Sequence, residues 1–118
     1  ELMKRECVGA QGEITIFRIG ALPDGLIPAN IGRAAKGAII SHSESGHHHV
    51  LTGSADVLER PRAPAGMQVL YAILDEPQSL IQDAVNAHDT HDLPPGIYEF
   101  RIAREFDPFA EQARRVAD

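Results

Sequence analysis

Short runs of β-branched and aromatic residues alternate with strong turn signals along this chain, and that punctuation points to an all-β architecture. Residues 13–19 (EITIFRI) end at Gly20. Leu22-Pro23-Asp24-Gly25 follows, with Pro23 presetting φ and Gly25 tolerating φ > 0. Residues 37–41 (GAIIS) and 47–52 (HHHVLT) flank the polar stretch 42–46, which predicts a hairpin with a loop of about five residues. A short strand is expected at 55–59, a proline-bearing loop at 60–66 and a buried strand at 67–74 (MQVLYAIL). Residues 79–86 read equally as strand or short helix. The turn Leu93-Pro94-Pro95-Gly96 precedes 97–103 (IYEFRIA), whose alternation fits a half-buried strand. Six or seven such strands predict one mainly β domain over residues 1–118: a sandwich, jelly roll or small barrel, with a cupin-like barrel included in the class. Residues 1–12 are expected to form an N-terminal arm. Residues 104–118 are expected as a C-terminal tail, with Asp107 as a helix N-cap and Pro108 in the first helical position.

Charge narrows the partners. The net charge is −6, from 11 basic and 17 acidic residues. The densest basic group, Arg101, Arg104, Arg114 and Arg115, is interrupted by Glu99, Glu105, Asp107 and Glu111. No basic stripe is left to displace counterions, so a nucleic-acid partner is not expected. The longest apolar run, Val69 to Leu74, is too short for a membrane span. No basic start followed by an apolar segment is seen at the N-terminus, so the expectation is a soluble, intracellular protein. Cys7 is the single cysteine, which excludes an internal disulfide and a cysteine-based zinc site.

All six histidines fall in two windows: His42, His47, His48 and His49, then His88 and His91. Neutral imidazole is a common ligand of zinc and related metals. Alternation along a strand turns His47 and His49 to one side and His48 to the other, so the H-x-H pair can grip one ion. His42 lies across the hairpin and is expected to approach the same face. His88 and His91 stand at i and i+3, just before a firm turn, where a bent loop aims both inward. The candidate ligands are therefore His42, His47, His49, His88 and His91, for a divalent transition metal with zinc among the candidates. Glu44, Asp89 and Asp92 are close enough in sequence to ligate or to accept from an imidazole N–H. The plainer reading is a solvated hairpin tip. Leu51 on the face of His47 and His49 argues for an inward site, while Val50 on the face of His48 blurs that argument. Cys7 has no base nearby in sequence, and Ser41, Ser43 and Ser45 lack a nucleophile elbow and read as turn residues.

The run His42-Ser43-Glu44-Ser45-Gly46-His47-His48-His49-Val50 resembles the H-S-E-T-G-H-H-H-V signature of small uncharacterised proteins of phages, prophages and bacterial genomes. Gln11-Gly12-Glu13-Ile14 resembles their opening Q-G-D-V strand, and His88 to Tyr98 resembles their H-x-x-H…L-P-P-G-x-Y. Arg104-Glu105-Phe106 resembles R-E-Y, and Arg114-Arg115-Val116-Ala117-Asp118 matches R-R-V-A-D. The likeness spans most of the chain and is patchy between Ser54 and Val85; Ser45 and Phe106 depart from the commoner Thr and Tyr. It implies a phage-type origin and the two histidine groups acting together.

Two functions follow as expectations. One is a non-enzymatic structural protein of a phage particle, a capsid cement or decoration protein located in the virion or host cytoplasm. Its partners would be further copies of itself and the major capsid protein. The other is a cupin-like metalloenzyme with an open coordination position. Few aromatics, no tryptophan and no clear general base except Glu44 favour the first, and the lean towards it is an analogy with the phage proteins.

Overall fold

The computed structural model describes residues 5–42, 48–82 and 90–104. Eleven strands lie in these residues. They are β1 (Arg5–Gln11), β2 (Ile14–Ile19), β3 (Ile27–Pro28), β4 (Arg33–Ala34), β5 (Gly37–Ser41), β6 (His49–Thr52), β7 (Val57–Glu59), β8 (Met67–Leu74), β9 (Gln78–Gln82), β10 (His91–Leu93) and β11 (Gly96–Ala103). A six-stranded sheet runs β1-β2-β11-β8-β7-β3 and a five-stranded sheet runs β10-β9-β6-β5-β4. Every paired strand is antiparallel. Neither sheet closes on itself, so the architecture is a β sandwich.

The core follows from strand alternation. The six-stranded sheet sends Ile14, Ile16, Leu70, Ala72, Leu74, Tyr98, Phe100 and Ile102 inward, and the five-stranded sheet answers with Ala38, Ile40, Leu51, Leu80 and Leu93. The run MQVLYAIL has no polar alternation because β8 is covered on both faces. Leu70, Ala72 and Leu74 face the main core, while Val69 and Tyr71 join a second cluster with Ile19, Phe17, Leu22, Leu26 and Ala63. The loops around positions 22–26 and 60–66 thus roof the outer face of this sheet.

Two irregularities decide where polar groups end up. In β1 the pairing shifts between Cys7 and Gly9, and in β5 between Ile39 and Ser41. A bulge adds one residue and changes which face the following side chains take. After the β1 bulge, Gly9 and Gln11 pair with the inward residues Ile16 and Ile14, whereas Arg5 and Cys7 pair with Ile19 and Phe17 of the outer face. Residues 5–11, expected as part of an arm, are therefore an edge strand bonded along its length to β2. Segment 79–86, ambiguous from sequence, is strand through Gln82; residues 83–89 lie outside the described part, as does the tail beyond Arg104. No helix among the described residues is long and apolar enough to cross a membrane.

Candidate metal centre at the mouth of the sandwich

The site is built where the β1–β2 turn folds over the inner face of the five-stranded sheet. Gln11 pairs with Ile14, leaving Gly12 and Glu13 as the turn. Gly12 has φ +56°, and a Cβ there would lie 3.0 Å from His49 Cε1, so the backbone needs glycine for both conformation and closeness. The Glu13 carbonyl accepts from the Ala103 N–H (3.0 Å), which ties the turn to the end of β11.

His49 opens β6 and faces inward with Leu51, two residues on, as alternation requires. It is 1% exposed. Its Nδ1 lies 2.7 Å from Gln11 Oε1, while Gln11 Nε2 donates to the Leu80 carbonyl (2.9 Å). That second bond fixes the amide orientation, because a flipped amide would set its oxygen against the Leu80 oxygen. Gln11 Oε1 is then an acceptor and His49 Nδ1 carries the proton. On the other side of the ring, Nε2 lies 3.2 Å from Glu13 Oε2. The second carboxylate oxygen, Oε1, accepts from Ser41 Oγ (2.7 Å). The β5 bulge makes this contact, since it sets Ser41 opposite His49 with both side chains at Glu13.

Desolvation pushes the Glu13 carboxyl up, but the Ser41 hydroxyl, a backbone N–H and His49 outweigh it and hold it below the ordinary range. The Glu13 side chain is 33% exposed, so the His49–Glu13 pair reaches solvent on the carboxylate side.

One member of each histidine group meets the 9–13 hairpin. His91 lies on β10, opposite Leu80, and its Nε2 donates to the Ala10 carbonyl (2.8 Å). A Cβ on Gly9 would sit 2.5 Å from His91 Cε1, so β1 lies directly on the imidazole. His49 pairs with Gln82, two residues along the same strand β9. His42 departs from the expected arrangement: it turns to the face away from His49 and packs edge-on to His48 (centroids 4.6 Å, interplanar angle 82°). The β5 bulge is the reason, because placing Ser41 opposite His49 sends the next residue outward. Nδ1 of His48 is buried with no hydrogen-bond partner among the described residues. His47 and His88 lie outside the described residues, as do Glu44 and Asp89. Asp92 is exposed and accepts from Ser79 Oγ (2.6 Å). Among the described residues no group of three or more His, Cys, Asp or Glu is placed to share one ion.

Gln11, Glu13 and Ser41 were not singled out as partners of His49 by sequence reasoning. The one available signal was that Gln11-Gly12-Glu13 falls in a stretch resembling the Q-G-D-V strand.

A second polar cluster sits on the outer face of the six-stranded sheet. Glu99, 0% exposed, accepts from Tyr71 Oη (2.7 Å), Arg101 Nε (2.6 Å) and Arg5 (3.1 Å). Both guanidinium groups also stack over the Phe17 ring, at 5.4 and 5.6 Å from its centroid. Burial pushes Glu99 up, yet Tyr71, Arg101 and Arg5 together hold it below the usual range. Burial and the adjacent carboxylate push the Tyr71 hydroxyl up to about 12.

Residues 10–103 match the family described as Domain of unknown function (DUF8820). The chain belongs to that family. No curated protein and no solved structure matches it. The matched span contains Gln11, Glu13, Ser41, His49, His91 and Glu99, and begins after Arg5.

Proposed function

We propose that this protein is a non-enzymatic structural component of a phage-type particle, a capsid cement or decoration protein whose histidines brace the domain through a divalent transition metal. The observation that favours a structural over a catalytic role is the direction of the imidazoles. His49 and His91 turn onto the protein's own 9–13 hairpin, with hydrogen bonds to Gln11 and the Ala10 carbonyl, and so join the two sheets. A cupin-like enzyme asks for imidazoles lining an accessible cleft. Among the described residues, the clefts lined by Thr52, Asp56, Ile73, Asp75 and Gln78, and by Pro28, Ile31, Arg33 and Val57, include no histidine. Phage origin rests on the motif resemblance. The expected partners are further copies of the chain and the major capsid protein, with β1, the edge strand of its sheet among the described residues, as the candidate for strand pairing.

The test is quantitative mass spectrometry of purified particles from a phage or induced prophage that encodes the chain. The expected result is a copy number in simple proportion to the major capsid protein. Particles that lack the chain, while it accumulates in the lysate, would overturn the proposal.

A further inference from the structure

We infer that the cleft between the β6–β7 loop and the β8–β9 turn docks an extended segment of a partner protein in which arginines stand beside apolar residues. The inference goes beyond the proposed particle role: it concerns which face of the domain meets another protein, and it is tested on the isolated chain.

The connections between strands build an acidic wall here. Residues 53–56 lead from β6 into β7 and residues 75–77 turn β8 into β9, so Asp56, Asp75 and Glu76 come to one cleft of about 730 Å³. All three are exposed, and none is in an ion pair among the described residues. No lysine or arginine lines the cleft. Arg33, in the adjoining cleft, gives its Nη2 to the Ala55 carbonyl (3.1 Å). The three carboxylates do not form a group able to hold one metal ion. Charge spread in this way suits guanidinium groups along a peptide, each presenting a planar fork to a carboxylate.

The floor is apolar. On the outer face of β8, Val69 and Tyr71 are roofed by loops, but Ile73 is 46% exposed and lines the cleft with Leu58 and Pro77. An uncovered aliphatic side chain gives a partner's apolar residue, or the methylene stem of its arginine, a surface to cover. The wall also holds an acceptor without a donor. Gln78 Oε1 is buried against Gly53 and has no hydrogen-bond partner among the described residues. Such burial is costly. The last torsion of a glutamine is soft, so a peptide N–H or guanidinium in the cleft draws this oxygen out without breaking a bond. The two walls are already joined, because Thr52 Oγ1 accepts from the Ser79 N–H (2.9 Å).

The experiment titrates the full, untagged chain, labelled with nitrogen-15, with the capped peptide Ala-Leu-Arg-Leu-Arg-Ala and follows it by NMR. Saturable shifts confined to residues 52–58 and 73–78 are expected, with binding weakened by salt. Replacing both arginines by citrulline keeps the shape and removes the charge, and should weaken binding about fivefold; so should Asp75→Asn combined with Glu76→Gln. Ile73→Ser, at an exposed position, should weaken it by at least about fivefold. Glu6→Gln removes a carboxylate from β1, at the far edge of the sheet from β7, and should leave affinity unchanged. Absence of shifts at these positions up to about 1 mM peptide, or equal binding of the citrulline peptide, would overturn the inference. So would cleft signals that change with protein concentration in the absence of peptide, or that move in Arg114→Gln/Arg115→Gln, since the occupant would then be a second copy or the chain's own C-terminal segment.

Discussion

Glu13 and Glu99 are both carboxylates held below their ordinary range by donors, yet they are enclosed very differently. Glu99 is fully buried and meets a tyrosine hydroxyl and two guanidinium groups, so its charge is matched entirely within the protein. Glu13 is one-third exposed and meets a hydroxyl and an imidazole. The first arrangement leaves nothing for a ligand to add. The second leaves one face of the carboxylate towards solvent. Strand β1 belongs to both, because its bulge sends Arg5 to the outer face and Gln11 to the inner one. Complete enclosure marks a charge held wholly by protein groups, and incomplete enclosure marks one shared with solvent.

The contrast makes a prediction about stability. Glu99→Ala leaves the buried Tyr71 hydroxyl without its acceptor and removes two charge-assisted bonds from the partly exposed Arg5 and Arg101, at a cost of about 2–3 kcal/mol. Glu13→Ala, in EDTA, breaks a partly solvated contact and is expected to cost about 1 kcal/mol or less. Urea unfolding of the two variants measures the difference. Equal losses would mean that the exposed carboxylate is as much a structural tie as the buried one.

A middle-sized effect is expected from packing at the inner end of β1. Gly9 leaves no room for a Cβ against the His91 ring. Gly9→Ala forces the strand or the imidazole to shift, at a cost of about 1–3 kcal/mol. The same substitution in a His91→Ala background should cost less, because the obstructing ring is gone. A cost unchanged in that background would show that the penalty lies in the bulge itself, and that β1 does not need His91 to seat its inner half.

These expectations also show which parts of the molecule were legible in its sequence. MQVLYAIL and IYEFRIA are strands at the expected positions because their apolar residues follow a local pattern: one is apolar on both faces, and the other carries its buried apolar side chains on alternate residues, although the charged Glu99 between them is buried as well. Strand β1 escaped notice since the bulge after Cys7 breaks its two-residue period, and Arg5 finds its partner 94 residues away. The two-residue strands β3 and β4 carry too little pattern to read. The inward direction of His49 was legible from Leu51. The outward turn of His42 was not, because the β5 bulge that causes it leaves no mark in composition. Glu13 stands 36 residues before His49 and Gln11 stands 38 before it, so only the folded chain brings them to the ring.

The smallest expected effect is on the acid limb of stability, and it sharpens the same contrast. A carboxyl whose folded pKa is depressed contributes stability above its unfolded value of 4.5, and that contribution is lost as pH falls through the folded value. Wild type should therefore lose stability as pH drops below about 4.5, since the unfolded chain binds protons there that folded Glu99 does not. Glu99→Gln removes one such group, so its unfolding free energy should fall less steeply over that window, although its stability at neutral pH is lower. Glu13→Gln, compared in EDTA, should flatten the limb less, because solvent screens its partners. Urea unfolding at intervals from pH 6 down to the acid transition (pH 6 chosen as roughly where both carboxyls are ionised) measures the two slopes. A larger flattening for Glu13→Gln than for Glu99→Gln would reverse the ranking, making the solvent-facing carboxylate the more strongly held of the two.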